Sequence, residues 1–289
     1  MKVQNSRRKK EMKKTTKILM STLCAAAVCG SAAAFGGCGS SADGRSTEIV
    51  VTGSSSVTPL MEKLAAVYEV LNEDVKVTIQ MSDSGTGIAD AQQGKNDFGM
   101  ASRNLKDSET GVVQQTICND GVALVVNTSC TVTNVTSADI YGLYASGTAI
   151  GSVTNAISRE DGSGTRDAFD GLIKNAAGDA LSKLTSFADC VDIQNTTGAV
   201  KSTIQSNGAG NTVGYISMGA LDSSVKALTY DGVAATAENV KNGTYKLSRP
   251  FNIVYRSEAA LSPAAKDFIE FIMSGAGQYI AEYEGYIAL

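Results

Sequence analysis

Short strand-like segments alternate with helix-like segments along most of this chain, and this alternation limits the possible fold more than any other feature. Residues 48–52 are rich in β-branched side chains, a polar loop follows at 53–58, and residues 59–71 place their leucines on one helical face. The strand-like segments "VKVTIQM" and "DFGMAS" follow, with a short helix between them. Strands separated by helices pair mainly in parallel, in a sheet covered by helices. We therefore predict an α/β fold.

The second half of the chain repeats this pattern. "DGVALVVN" at residues 120–127 is typical of a buried strand, and so are "VGYISMGAL" and "RPFNIVYR". "GAVKSTIQSN" is predicted as a helix, and "SPAAKDFIEFIMSGAGQYIAEY" as one closing helix that Ser262 caps. Two α/β blocks of this size predict two lobes with a cleft between them.

The N-terminal segment differs from the rest of the chain. Residues 1–37 carry eight basic side chains against one acidic side chain and include an apolar stretch at 18–34, which is typical of an export signal. The segment leads into "FGGC", which resembles the lipobox of bacterial lipoproteins, with Phe35 where that motif usually has leucine. The resemblance implies that Cys38 becomes the lipidated first residue. An ordinary signal peptide cleaved nearby is the alternative, and residues 38–47 are predicted to form a flexible tether.

Charge and cysteine content exclude several classes of protein. The 252 residues after the signal carry 17 basic and 28 acidic side chains, so binding to nucleic acid is not predicted. Besides Cys38, three cysteines remain beyond the signal, and an odd number cannot form a complete disulfide framework. Their spacing is not that of a metal site. All three are interpreted as mostly buried small hydrophobic residues, and a bridge between Cys118 and Cys130 stays open.

Three loops share one design: "GSSSVTP" at 53–59, "SDSGTG" at 82–87 and "REDGSGT" at 159–165. Each follows a predicted strand and opens a predicted helix, whose first N–H groups lack intrahelical partners and carry partial positive charge. Glycines let the backbone approach a ligand, and hydroxyls add neutral donors. Such loops are suited to binding an anion.

Each loop taken alone also has a purely structural interpretation, because serine, threonine and glycine are ordinary turn and N-cap residues. None of the three has the Gly-Lys-Ser/Thr ending of a Walker loop. The third loop differs because it holds Arg159, whose planar fork of donors matches an oxyanion. The alternative for Arg159 is a surface ion pair with Glu160 or Asp161.

The segment "SREDGSGTRDAF", residues 158–169, closely resembles the anion-binding loop of the phosphate-binding proteins of bacterial phosphate ABC transporters. "VTGSSSVTPLMEKLA", "SDSGTG", "DFGMASR", "VGYISMGAL" and "RPFNIVYR" resemble further segments of that family, in the same order. The resemblance implies a two-lobed, type II periplasmic-binding-protein fold with the ligand in the cleft. It implies a first lobe at 48–122, a second lobe at 123–249, and a return to the first lobe at 250–289.

Carried over to this sequence, the resemblance implies a set of phosphate-binding residues. Arg159 supplies the charge, and Asp161 orients its guanidinium group. Hydroxyl and backbone N–H donors come from Ser55, Ser56, Val57, Ser84, Ser163, Gly164 and Thr165, with the first-loop register open by one residue. Ser102 stands where some members have an aspartate that accepts the proton of phosphate, so the way in which sulfate is rejected stays open.

The function implied by the resemblance is the binding of inorganic phosphate outside the cytoplasm and its delivery, by cleft closure, to the permease of an ABC importer. The protein would be a monomer held by its lipid at the outer face of the cell membrane, without cofactor or metal. Another tetrahedral oxyanion as ligand, or an adhesive or signalling surface lipoprotein, are the alternatives. Catalysis is not predicted, because the chain has no histidine and Ser163 does not meet the Gly-x-Ser-x-Gly spacing.

Overall fold

The structure, a computed structural model, describes residues 47–289, so the predicted signal peptide, Cys38 and nearly all of the tether lie outside the described residues. The strands are β1 Thr47–Ser54, β2 Val75–Ser82, β3 Phe98–Ala101, β4 Val113–Val126, β5 Asn134–Val135, β6 Asn155–Arg159, β7 Val191–Gln194, β8 Thr212–Ser217, β9 Lys226–Ala227, β10 Thr229–Tyr230 and β11 Ser248–Tyr255. The α-helices are α1 Thr58–Leu71, α2 Ser84–Gln93, α3 Ser137–Ser146, α4 Gly164–Leu172, α5 Thr197–Ser206, α6 Ala237–Lys241, α7 Pro263–Met273 and α8 Gly275–Tyr283. Short 3-10 helices occur at Leu181–Lys183, Met218–Ala220 and Glu258–Ala260.

Nine of these strands form one mixed sheet, in the order β2-β1-β3-β11-β4-β8-β6-β7, with β9 paired to β4. At one end β1 pairs in parallel with β2 and β3, and at the other end β6 pairs in parallel with β7 and β8. Between them, β11 and β4 run antiparallel to their neighbours. The α/β prediction is confirmed, although pairing is parallel only at the two ends, because the two long strands β4 and β11 connect them.

The buried apolar side chains form two main cores on either side of this connection. The first core takes its residues from 49–118 and from 251–286, and the second takes its residues from 122–247. Strand β4 contributes to both, with Ile117 in the first core and Val122 in the second. A chain with two cores joined by two strands has the anatomy that hinge motion requires. The exact lobe boundaries stay a prediction.

The closing segment forms two helices, so the prediction of one closing helix is wrong. Helix α7 begins as predicted, with the Ser262 hydroxyl accepting a hydrogen bond from the Ala265 N–H at 3.1 Å. It ends at Ser274, whose backbone is extended (ψ 165°) and whose hydroxyl caps α8 by accepting from the Gly277 N–H. A serine that can cap a new helix competes with continuation of the old one.

The cysteines do not form the bridge that the sequence left open. Cys118 and Cys130 are both free and buried, and they lie in different cores. Cys190 is free and half-buried. All three pack as small apolar side chains, as interpreted from the sequence.

Helix α2 packs very closely on β1 and β3 because glycines meet at the contact. A Cβ on Gly87 would lie 2.8 Å from the Gly53 Cα, and a Cβ on Gly99 would lie 2.6 Å from the Gly87 carbonyl carbon. These distances leave no space for a side chain. The contact fixes the start of α2, which carries one of the three predicted loops.

We expect Gly99→Ala to lower the free energy of unfolding by about 3 kcal/mol, since the new methyl group meets backbone that cannot rotate away. Denaturant unfolding measures this change. Gly208→Ala is the matched control, because nothing lies within 4 Å of its Cβ position. A loss below about 1 kcal/mol for Gly99→Ala would contradict the close packing.

Candidate functional site

Four helices begin close together, and a cluster of hydroxyl groups lies at or just before their first residues and at Ser102, which follows β3. They are α1, α2, α4 and α5, each preceded by a strand of the main sheet. The cluster consists of eight buried side chains, each at most 6% exposed: Ser54, Ser55, Ser56, Ser84, Ser102, Ser163, Thr165 and Thr197. We call this set the hydroxyl cluster.

The hydrogen bonds of the cluster run between loops that are distant in sequence. The Ser56 hydroxyl lies 2.8 Å from the hydroxyls of both Thr165 and Thr197. The Ser102 hydroxyl accepts from Ser54 at 3.1 Å and lies 3.3 Å from the hydroxyl of Ser84. The three predicted loops therefore converge.

Arg159 lies at the end of β6, is only 1% exposed and points its guanidinium group at the cluster. Its Nη2 donates to the Ser55 hydroxyl at 3.0 Å, and its Nη1 donates to the Thr197 hydroxyl at 3.2 Å. A buried arginine needs a compensating partner. Glu160 supplies it, accepting from Nε and Nη2 of Arg159 at 2.7 Å each.

The prediction that Asp161 orients Arg159 is therefore corrected. The Asp161 side chain is 97% exposed and lies 2.6 Å from Nη1 of Arg166, away from the cluster. Glu160 takes the orienting position because its longer side chain reaches the Nε side of the fork, where two parallel hydrogen bonds form.

The backbone of Arg159 is fixed from behind by Tyr215. The Tyr215 hydroxyl accepts from the Arg159 N–H at 3.1 Å, and the tyrosine ring stacks on Phe169 of α4 at 4.0 Å between ring centroids. Burial raises the pKa of Tyr215 well above its usual value, so its hydroxyl stays neutral. The strand that carries Arg159 and the helix that follows it are thus held in one rigid unit.

The first loop contributes hydroxyls rather than backbone donors. The N–H groups of Ser55, Ser56 and Val57 already donate to Ser82 O, Ser54 Oγ and Ser54 O, at 3.0, 3.3 and 3.0 Å. The Val57 side chain belongs to the first apolar core. The structure therefore does not bring Val57 into the cluster, because a turn uses its N–H and the core holds its side chain.

Helix α4 contributes both kinds of donor. The N–H groups of Gly164 and Thr165 are in its first turn, where helices leave N–H groups without intrahelical partners. The Ser163 hydroxyl caps the helix by accepting from the Arg166 N–H at 3.3 Å, and its N–H donates to Glu160 O. The hydroxyl proton of Ser163 remains available to a ligand.

No carboxylate is hydrogen-bonded to the hydroxyl cluster among residues 47–289: the hydroxyls bond to one another, to backbone N–H groups and to Arg159. Within the same residues, no group of three or more histidine, cysteine, aspartate or glutamate side chains is placed to hold a metal. Neutral donors surrounding one arginine can bind an anion, since dipoles and a fixed fork replace its water shell.

Comparison with known proteins identifies the family. A family profile described as the PBP superfamily domain matches residues 39–276. The chain belongs to the PBP superfamily.

Solved structures of this superfamily resemble the chain over most of its length. A protein of Clostridium perfringens, assigned as a phosphate ABC transporter substrate-binding protein and solved with bound phosphate, is 36% identical, with a TM-score of 0.78, over 84% of this chain and 100% of that one. An ABC-type phosphate transport receptor from Vibrio cholerae is 31% identical, with a TM-score of 0.66 and the same coverage. The resemblance stated from sequence and the predicted type II periplasmic-binding-protein fold are both confirmed.

Curated relatives carry related names. Phosphate-binding protein PstS 2 of Streptococcus pneumoniae is 48% identical over 124 residues, which is 43% of this chain and 41% of that protein. The aligned part thus spans less than half of the length of that relative. Phosphate-binding protein PstS of Staphylococcus epidermidis is 27% identical over 90% of this chain and 86% of its own length.

Sequence reasoning missed three residues of the candidate site, Ser54, Thr197 and Tyr215, and it offered Glu160 only as the partner of Arg159 in a surface ion pair. A signal for Thr197 was present, because "QNTTGAV" follows a strand and opens α5, with the Thr196 hydroxyl as N-cap at 3.0 Å from the Ala199 N–H. It is a fourth loop of the same design as the other three. Tyr215 gave no such signal, because its role depends on the pairing of β6 with β8.

Proposed function

We propose that this protein binds inorganic phosphate in the hydroxyl cluster and delivers it to the permease of an ABC importer. The observation that supports this most strongly is the buried arginine fork, Arg159, which donates to the Ser55 and Thr197 hydroxyls of the cluster, while no carboxylate in the described part of the chain is hydrogen-bonded to the cluster hydroxyls. Phosphate offers four oxygens to such a shell. The names of the relatives from Clostridium perfringens and Staphylococcus epidermidis favour the same ligand.

Local donors, not the overall charge, account for the binding of an anion to an acidic protein. Glu160 compensates the charge of Arg159, so that neither group is buried alone. When phosphate enters, the guanidinium donors and hydroxyls that now bond to one another turn to the ligand. The bulk negative charge affects mainly the rate of approach.

A neutral hydroxyl at position 102 suits phosphate in its hydrogen-bearing forms. The Ser102 hydroxyl accepts from Ser54 and is completely buried, so its environment is fixed. A hydroxyl can accept the hydrogen bond that a protonated phosphate oxygen donates, and it can donate to an unprotonated one. Discrimination against sulfate therefore depends on the match of donors and acceptors, and not on charge repulsion by an aspartate.

This protein has a membrane anchor and a membrane partner. It acts outside the cytoplasm, as a binding protein and not as an enzyme, held at the outer face of the cell membrane through a lipid on Cys38. It works as a monomer and docks on the permease after the cleft closes over phosphate. Among residues 47–289, none of the helices could span a lipid bilayer.

Isothermal titration of residues 45–289, which contain the whole compact unit, tests the proposed ligand. Carried-over anion is first removed by unfolding and refolding. One-to-one binding of phosphate with sub-micromolar affinity and little heat from sulfate is the expected result. Equal binding of sulfate would mean that the site accepts tetrahedral oxyanions in general and does not select phosphate. Binding of neither anion, with no shift of the melting temperature, would leave a surface lipoprotein whose loops are structural caps.

A further inference from the structure

Asp167 of α4 forms ion pairs with residues from the other predicted lobe. Its Oδ2 lies 2.8 Å from Nε of Arg103 and 2.7 Å from Nζ of Lys106. Arg103 and Lys106 follow β3, in the part of the chain whose core is the first core. Asp167 follows β6, next to the second core. These two ion pairs therefore cross the cleft, and we call Arg103, Lys106 and Asp167 the latch.

On the first-lobe side of the latch, Arg103 is held in place by contacts other than the one with Asp167. Both Nη atoms of Arg103 donate to the two carboxylate oxygens of Glu109, at 2.6 and 2.7 Å, and the Arg103 carbonyl accepts from Asn252 of β11 at 2.8 Å. Burial raises the pKa of Glu109, but hydrogen bonds from Arg103 and from the Lys106 N–H outweigh this effect and hold its pKa below the usual value. Arg103, only 6% exposed, thus keeps a fixed position whether or not Asp167 is near it.

The second-lobe side moves with the proposed phosphate site. Asp167 is in the first turn of α4, two residues after Thr165. The Arg103 Nε and the Asp167 Oδ2 form an ion pair at 2.8 Å, so their attraction is mainly electrostatic. Such a contact tolerates small changes of angle during closure.

None of the three latch residues belongs to the hydroxyl cluster, so the latch can act on closure without touching the ligand. Most other contacts across the cleft do involve the cluster, such as those of Ser56 with Thr165 and Thr197. A contact made only in the closed form raises its population, and the apparent affinity rises by the same factor.

We propose that the latch of Arg103, Lys106 and Asp167 holds the cleft closed and sets the affinity and the residence time of the ligand. This inference rests on the proposed function, because the latch acts on the closure of the cleft around phosphate. Asp167 is a positioning residue: it presents the first turn of α4 to the ligand by drawing the helix toward Arg103.

Asp167→Asn tests the latch, because it removes the charge and keeps the shape. Arg103 keeps its bidentate partner Glu109, so no buried cation is left alone. We expect the dissociation constant for phosphate to rise about tenfold, mainly through faster dissociation in stopped-flow measurements. Asp222→Asn is the matched control: it removes an Asp–Lys pair of the same 2.7 Å length, with Lys201, that lies within the second lobe. The control should stay within about twofold of the unaltered protein.

A double-mutant cycle separates a latch from a merely structural role for Asp167 in α4. Lys106→Met should raise the dissociation constant about threefold by itself and should have no further effect beside Asp167→Asn. Because Lys106 is half-exposed, with 51% of its side chain accessible, this variant is expected to fold. Additive effects of the two changes, or an Asp167→Asn protein that binds phosphate like Asp222→Asn, would overturn the proposal.

A measurement on the ligand-free protein tests the latch even if phosphate does not bind. Small-angle scattering of the ligand-free proteins compares how open they are. A larger radius of gyration for Asp167→Asn than for Asp222→Asn supports the latch even if the proposed ligand is wrong. Equal radii in that case would overturn it.

Discussion

Replacement of Arg159 by alanine is expected to raise the dissociation constant for phosphate at least 1,000-fold, which corresponds to about 4 kcal/mol. Two effects add: the ligand loses the charged donors Nη1 and Nη2, each worth about 1.5–3 kcal/mol, and Glu160 is left without its partner. The carboxylate would then repel the incoming anion. Isothermal titration measures the loss.

The repulsion by Glu160 can be separated from the loss of donors. Adding Glu160→Gln to Arg159→Ala should restore part of the affinity, about tenfold, because a neutral amide no longer repels phosphate. Arg256→Ala is the control for the loss of an arginine, since Arg256 is exposed and lies outside the cluster. Near-normal binding by Arg159→Ala would refute the proposed site, provided that its thermal unfolding shows a folded protein.

Gly164→Ala is expected to raise the dissociation constant at least 30-fold by obstructing closure. A Cβ at this position would lie 2.8 Å from the Ser102 Oγ and 3.0 Å from the Ser84 Cβ, both from loops across the cleft. The Ser84 Cβ cannot rotate away, so α4 must lie farther from the loops of Ser84 and Ser102. Its first N–H groups then lose contact with the ligand. The same titration measures this loss.

Gly171→Ala on the same helix is the matched control for Gly164→Ala. Nothing lies within 4 Å of the Cβ position at Gly171, so affinity should not change, and the unfolding free energy should rise by about 0.5–1 kcal/mol from helix propensity. Equal affinities for the two variants would show that α4 does not approach the loops of Ser84 and Ser102 in the ligand-bound protein.

The local elements were largely predictable, because each depends on a short stretch of sequence. Alternating strand and helix patterns predicted the α/β class, and Ser262 was placed correctly as an N-cap. The design of the loops predicted that Ser84, Ser163 and Thr165 would open helices near one another. The break at Ser274 was missed, because apolar residues continue on both sides of it and a serine fits equally well inside a helix or at its start.

The partners of the charged side chains depended on tertiary structure. Two adjacent carboxylates, Glu160 and Asp161, are candidate partners for Arg159 in the sequence, and the prediction of Asp161 was wrong. Their directions are set by the turn at Gly162, which has φ 88° and turns Asp161 toward Arg166 and solvent. The latch likewise joins residues more than 60 positions apart, and only the packed sheet brings them together.

By itself, then, the sequence determined the fold class, the loops rich in hydroxyls and the presence of one arginine suited to an oxyanion, because these depend on local patterns and on chemistry. Tertiary structure alone decided that Tyr215 and Ser54 join the site, that Glu160 and not Asp161 compensates Arg159, and that Asp167 bridges the cleft. The physical reason is the geometry of the sheet. Strands far apart in sequence become neighbours, so the distances between the side chains at their ends are set by strand pairing and not by their spacing along the chain.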